Sequence, residues 1–201
     1  MDERGWTLIF LRANHFPMSI ITGRGDSGDT DLLFGRRIAK TSPRIEALGN
    51  VDELNAALGM ARAAASDAEW IALIDQLQER LVGLMGQLAC LPADESDYLE
   101  KRYAAITQAD LDWVTAEAHQ YEAKGIRFTG WARPGAEGSL SRAAIDFSRA
   151  VARRAERSVL ALHASGEPVP ELVRLFFNRL SDLLWILARV SSDSATHGDK
   201  K

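Results

Sequence analysis

Residues 172–190, LVRLFFNRLSDLLWILARV, constrain the fold more than any other stretch of the chain. Leu172, Val173, Phe176, Phe177, Leu180, Leu183, Leu184, Ile186, Leu187 and Val190 recur at helical spacing and cover most of a helix's circumference. A helix with so little polar surface is stable only when other elements enclose it. Against that background Arg174, Asn178, Ser181, Asp182, Trp185 and Arg189 share one narrow stripe. A buried polar group without a partner costs about 1–3 kcal/mol. The stripe therefore predicts either a seam stitched to a neighbouring helix or a ligand or subunit interface.

The sequence supplies the enclosing helices. Ser42-Pro43 reads as N-cap and first position of a helix reaching about Ala65, with Val51, Leu54, Leu58 and Ala61 as its stripe. Ser66-Asp67 starts a second, carrying Trp70, Ile74, Leu77, Leu81 and Leu84 to Leu91, where Pro92 ends it. A polar connection spans 92–106. Thr107 caps a third helix with Leu111, Val114, Ala118 and Tyr121, stopped at Gly125. A fourth runs from Ser139 to Ala164, and the last from Pro170 to about Ser192. No strand-like alternation and no internal repeat interrupts them. The expected fold is all-α, a five-helix antiparallel bundle in one domain over 19–192. Residues 1–18 are expected to be a dispensable extension and 193–201 a polar tail.

The fourth helix contains SRAVARRAER. At about 100° per residue, Arg142, Asp146, Arg149, Arg153, Glu156 and Arg157 share one sector of about 100°. Leu140, Ala144, Phe147, Val151, Ala155, Val159 and Leu162 lie opposite, as a core-facing stripe. A solvated charged face is the plainest account of such a row. Residues 19–42 add a second feature, a glycine-rich segment with Thr22, Arg24, Gly25, Asp26, Gly28 and Thr30, followed by Arg36, Arg37 and Lys40. Its backbone donors and cations, with the arginine row, suit a polyphosphate ligand. It is not a Walker A loop, since no GxxxxGK[ST] occurs.

Composition narrows the classes. Lys and Arg number 24 against 28 Asp and Glu, a net charge of −4, which weighs against non-specific nucleic-acid binding. No apolar run approaches the roughly 20 residues of a membrane span. The opening run WTLIFL lacks the flanks of a signal peptide. The single Cys90 has no partner for an intramolecular disulfide, which suits the cytoplasm, and reads as a small core residue. His15, His119, His163 and His197 show no catalytic spacing.

TGRGDSGDTDLLFGRRIAKTSPRIEALGNVDELNAALG, WARPG, SRAVARRAER and FFNRLSDLLWILAR, in that order, resemble the PduO-type ATP:corrinoid adenosyltransferases. The resemblance covers 19–190. It implies a five-helix bundle that assembles as a homotrimer with ATP and a corrinoid at each subunit interface. It implies transfer of the 5′-deoxyadenosyl group of ATP to cobalt(I), as in cob(I)alamin, giving adenosylcobalamin and tripolyphosphate, with Mg²⁺ carried by ATP. A corrinoid reductase and an adenosylcobalamin-dependent enzyme follow as possible partners.

The resemblance also implies roles. Thr22, Gly25, Asp26, Gly28 and Thr30 match the loop that wraps the ATP phosphates, and Lys40 the basic residue after it. Arg153, Glu156, Asn178 and Ser181 match nucleotide-contacting positions of the neighbouring subunit. Asp52 and Arg149 match a salt bridge across that interface. Asp182 lies near the same site, and Trp131 matches an aromatic against the corrin face that helps displace the lower axial ligand of cobalt. Arg153, Asp182 and Trp131 are thus the expected catalytic set. Because cobalt(I) is itself the nucleophile, the protein's tasks are alignment and stabilisation of the departing triphosphate. The chain departs from the family pattern at several places. Gly23 stands where a basic residue is usual, with Arg24 beside it. Trp131 replaces Phe, Arg133 an apolar residue, and Asp146 a common His. A non-catalytic ATP- or corrinoid-binding bundle of the same fold, a sensor or carrier, is the alternative these departures leave open.

Overall fold

A computed structural model describes residues 21–126, 131–136 and 138–190. Strands β1 (Asp29–Asp31) and β2 (Arg37–Ala39) precede helices α1 (Pro43–Ala64), α2 (Ala68–Ala89), α3 (Glu95–Glu100), α4 (Gln108–Ala123), α5 (Leu140–Ala164) and α6 (Glu171–Leu187). The five long helices are those expected, and four of them start at a side-chain cap. Ser42 accepts from the Ile45 amide, Asp67 from Glu69 and Trp70, and Ser139 from Arg142. Thr107 and Asp110 form a reciprocal capping box.

The core is one cluster. Phe176, Phe177, Leu180, Leu183 and Leu184 of α6 are fully enclosed, as their all-round apolarity requires. α5 packs on both α1 and α6, α4 covers α6, and α2 lies against α1.

Three expectations are corrected. The glycine-rich segment, where no strand alternation is expected, contains a hairpin: β1 and β2 pair antiparallel, Asp29 opposite Ala39 and Asp31 opposite Arg37. The hairpin turns through Phe34 and Gly35, both at positive φ, a conformation that strand propensity does not reveal. The connection 92–106 is partly helical, with a 3₁₀ turn at Pro92–Asp94 leading into α3. It lies on α2 because that helix offers glycines there. A Cβ on Gly86 would stand 2.6 Å from the Tyr98 hydroxyl, and one on Gly83 3.1 Å from Ala104 Cβ. Tyr98 Oη donates to Ala104 O at 2.5 Å, and Ile106 N donates to Gln87 Oε1 at 2.8 Å.

The third correction concerns α5. Leu140 is 74% and Phe147 52% exposed, while Asp146, placed on the cationic face by the helical wheel, is 5% exposed. Near its start the buried face comprises Ile145, Asp146 and Ser148. A carboxylate can occupy that face because Arg189 meets it inside, at 2.9 Å. The wheel weighs apolarity alone and cannot anticipate a buried ion pair. α6 also ends at Leu187, so Arg189 lies beyond the helix rather than on its stripe.

Arg44, 2% exposed, joins three elements near the start of α1. Its Nη1 donates to Leu88 O at 2.7 Å and Cys90 O at 3.1 Å, and its Nε to Glu167 Oε2 at 2.8 Å. It fixes the start of the helix that follows the glycine-rich segment. Cys90 caps α2 half-buried, and burial pushes its thiol pKa up, consistent with a packing role.

Candidate functional site

The predicted phosphate loop is built from successive tight turns. Asp26 N donates to Gly23 O and Gly28 N to Gly25 O, both at 3.2 Å, and Arg24 N donates to Thr22 Oγ1 at 3.4 Å. Gly23 and Gly28 sit at φ of +66° and +91°, which a side chain would strain. Lys40 closes the loop. Its Nζ donates to Gly25 O at 2.7 Å and its amide to Gly28 O at 2.8 Å. A Cβ on Gly25 would lie 2.8 Å from that ammonium, so glycine here is what lets the lysine reach the loop. Thr22, Gly25, Asp26, Gly28 and Lys40 are thereby assembled, and Thr30 lies in β1 opposite Ile38. Lys40 and Asp26 remain exposed.

Arg36 and Arg37 are engaged elsewhere. Arg37 Nη1 binds Asp31 at 2.9 Å and Nη2 donates to Arg24 O, while Arg24 binds Asp31 at 3.1 Å. Arg36 clasps Asp94 through Nε at 2.8 Å and Nη2 at 2.5 Å, tying the hairpin to the turn before α3. Phe34 packs at 6.2 Å from Tyr103, with Lys101 Nζ 4.7 Å above its ring. No spacing rule links positions 36 and 94, and no signal in the sequence would have paired them.

The Arg36 hydrogen bonds hold the Asp94 carboxyl below the usual carboxylate range, against the opposing effect of burial. A depressed folded-state pKa contributes stability that is present above the unfolded value, about 3.9, and lost as pH falls below it. The ring-proton NMR shifts of Phe34 should therefore stay constant from about pH 8 to 5 and drift only below about 4. Drift between pH 7 and 5 would mean that some other group secures the hairpin.

On α5, Arg154 pairs with Glu53 of α1, and Arg149 Nε binds Asp146 at 2.9 Å. Arg153 and Arg157 are exposed and have no carboxylate partner among the described residues. Glu156 lies one turn from Arg153, half-buried. On α6, Asn178 and Asp182 are exposed, Asp182 pairing with Arg179 at 3.1 Å. Ser181 is buried and donates to Asn178 O at 3.0 Å. A cavity of about 280 Å³ opens beside Asp182, between Ala118, His119 and Glu122 of α4 and Arg179 and Trp185 of α6. Trp131 is 83% exposed.

The expected residues thus form two groups. Among the described residues, no hydrogen bond or ion pair joins the segment 22–40 to Arg153, Glu156, Asn178, Ser181 or Asp182. Asp52 is exposed on α1 without an ion-pair partner among them, and Arg149 turns to Asp146 rather than to Asp52.

A family model described as cobalamin adenosyltransferase matches residues 20–191. The chain is 35% identical over 183 residues to the corrinoid adenosyltransferase PduO of Salmonella typhimurium, covering 90% of this chain and 51% of that protein. It is 39% identical over 172 residues to a cobalamin adenosyltransferase of Cupriavidus metallidurans, covering 85% and 86%. The chain spans about half the length of the PduO relatives and most of the Cupriavidus protein. Among solved structures it is similar to a variant PduO-type ATP:corrinoid adenosyltransferase from Lactobacillus reuteri, complexed with cobalamin and ATP. The TM-score is 0.73 at 27% identity, over 85% of this chain and 92% of that one.

Proposed function

The chain belongs to the cobalamin adenosyltransferase family, and from that premise we propose that it transfers the 5′-deoxyadenosyl group of ATP to a cobalt(I) corrinoid. The cobalt–carbon bond forms as the C5′–O bond breaks, and the electron pair leaves on tripolyphosphate. What carries the reading is the contrast along α5: Arg149 and Arg154 are paired, whereas Arg153, like Arg157 one turn on, stands exposed with no carboxylate partner among the described residues. A guanidinium in that state suits bidentate contact with a phosphate.

In this reading the turns at 22–28 and Lys40 hold the triphosphate, with Thr30 beside them. Arg153, Glu156, Asn178 and Ser181 of a second copy complete the nucleotide site. Asp182 borders the reaction space and Trp131 faces the corrin. Mg²⁺ supplies charge neutralisation on the triphosphate; Asp26, an exposed carboxylate in the phosphate loop, offers the hard oxygen it prefers. That no hydrogen bond or ion pair joins the two residue groups among the described residues supports a site shared between copies, and a homotrimer is the assembly proposed. Residues 19–192 form its unit, consistent with the span of the family match, and a single cysteine suits the cytoplasm. A reductase supplying cobalt(I) and an enzyme using adenosylcobalamin are the partners this chemistry asks for. Reduced cobalamin, ATP and Mg²⁺ should give the adenosylcobalamin spectrum with the purified protein. Binding of both ligands without conversion would favour a sensor or carrier instead.

Arg149 spends one donor on Asp146, and its other donors remain for Asp52 of a neighbouring copy. Light scattering should give about three times the 22.1 kDa chain mass. Arg149→Ala removes a charge-assisted contact worth about 1.5–3 kcal/mol per interface and should shift the protein toward monomer at micromolar concentration. A wild-type monomer, or an unaffected variant, would overturn this assembly.

A further inference from the structure

The Asp146–Arg189 pair is almost fully buried, its side chains 5% and 7% exposed. Arg189 Nη2 donates to Asp146 Oδ2 at 2.9 Å and Nη1 to Oδ1 at 3.3 Å. Nη1 also reaches Trp185 O at 3.1 Å, and the guanidinium lies 4.7 Å from the Trp185 ring. The remaining contact leaves the helices: Arg189 Nη2 donates to Ala132 O at 3.3 Å. Ala132 directly follows Trp131. Two further hydrogen bonds involve 131–136 and both are local, Ala136 N to Arg133 O and Gly138 N to Gly135 O. The Arg189 bond ties this segment to the end of α6, distant from it in sequence.

Arg189 is held in place from elsewhere. Arg142 Nη2 donates to Val190 O at 2.6 Å and its Nη1 to Ala188 O at 3.4 Å, so the backbone on either side of Arg189 is fixed to α5. Val190 also bridges to Ile126. The guanidinium therefore does not follow the segment; the segment follows it. For the fold alone, a buried ion pair has no advantage over apolar residues of similar volume. A planar fork held by a carboxylate does what an apolar pair cannot: it presents a donor to a backbone carbonyl at a set angle.

We propose that Asp146 and Arg189 are positioning residues that set the segment carrying Trp131, and that Asp146, shared with Arg149, ties it to the arginine row of α5. The inference rests on the proposed role of Trp131. Neither residue needs to touch substrate. Arg189 acts through Ala132 O, and Asp146 acts through Arg189.

Arg189→Met leaves Asp146 with Arg149 as a partner and removes the side-chain donor from Ala132 O and, at the end of α6, from Trp185 O. Amide exchange across 131–136, measured on the substrate-free protein, should accelerate at least about tenfold, while α5 and α6 keep wild-type protection. KM for cobalamin should rise about tenfold, with KM for ATP within about twofold of wild type. If Arg189→Met melts early, the Asp146→Leu/Arg189→Met double variant removes both charges and still leaves Ala132 O without its donor. It should fold, exchange fast across 131–136 and show the same KM split. Wild-type exchange across 131–136 in a folded variant overturns the proposal. So does a loosened segment with unchanged cobalamin KM, provided the wild type adenosylates. A wild type that does not adenosylate refutes the proposed function instead, and the exchange result still reports on the anchor.

Discussion

Arg153→Ala should lower kcat/KM for adenosylation by about 10- to 150-fold while leaving the melting temperature unchanged. The side chain is exposed and makes no ion pair among the described residues, so its removal costs the fold little. The loss comes from the triphosphate: a hydrogen bond to a charged group contributes about 1.5–3 kcal/mol. How the loss divides is informative. If the guanidinium contacts the phosphates equally before and during reaction, KM for ATP rises alone. If it meets charge that develops on the leaving oxygen, kcat falls with kcat/KM. Arg153→Lys keeps the charge but not the fork, and should recover only part of the rate. Wild-type kinetics in Arg153→Ala would reduce the arginine row to structure and assembly.

The exposed position of Arg153 on α5 was legible because its neighbours on the helix repeat at known spacing, and the same holds for the capped starts of α1, α2, α4 and α5. Periodicity and capping are local, and a single sequence displays local rules directly. The glycine-rich loop was legible in part. Its glycines marked backbone that turns tightly, and Lys40 does reach Gly25 O. The hairpin across it was not, because three-residue strands carry too little alternation to detect.

The misplaced residues share one cause. Arg36 is consumed by Asp94, Arg37 by Asp31, and Asp146 by Arg189. Each is a charge whose burial or use depends on a partner at a distance the sequence does not encode. Asp146 shows the consequence most sharply. Position on the wheel placed it with the exposed cations, yet its value lies in facing inward. It appeared in the sequence only as a departure from the family's usual histidine.

Trp131→Ala should leave ATP affinity and folding intact while weakening cobalamin binding and removing most turnover. At 83% exposure the ring contributes almost nothing to the core, and it offers a flat apolar face for a flat apolar partner to cover. A corrin ring is such a partner. Covering about 100 Å² of indole at about 25 cal/mol per Å² gives about 2.5 kcal/mol, or about 70-fold in affinity. The effect on rate should be larger, because the resemblance assigns this aromatic the displacement of the lower axial ligand. Cobalt without that ligand is easier to reduce to the nucleophilic state. With ATP bound, wild-type protein should therefore convert cob(II)alamin to its four-coordinate spectrum, and Trp131→Ala should not. Trp131→Phe, which keeps a flat apolar face, should retain the spectrum. Wild-type spectra and rates in Trp131→Ala would move the corrinoid contact away from this segment. The Asp146–Arg189 anchor would then position a surface turn with no part in the chemistry.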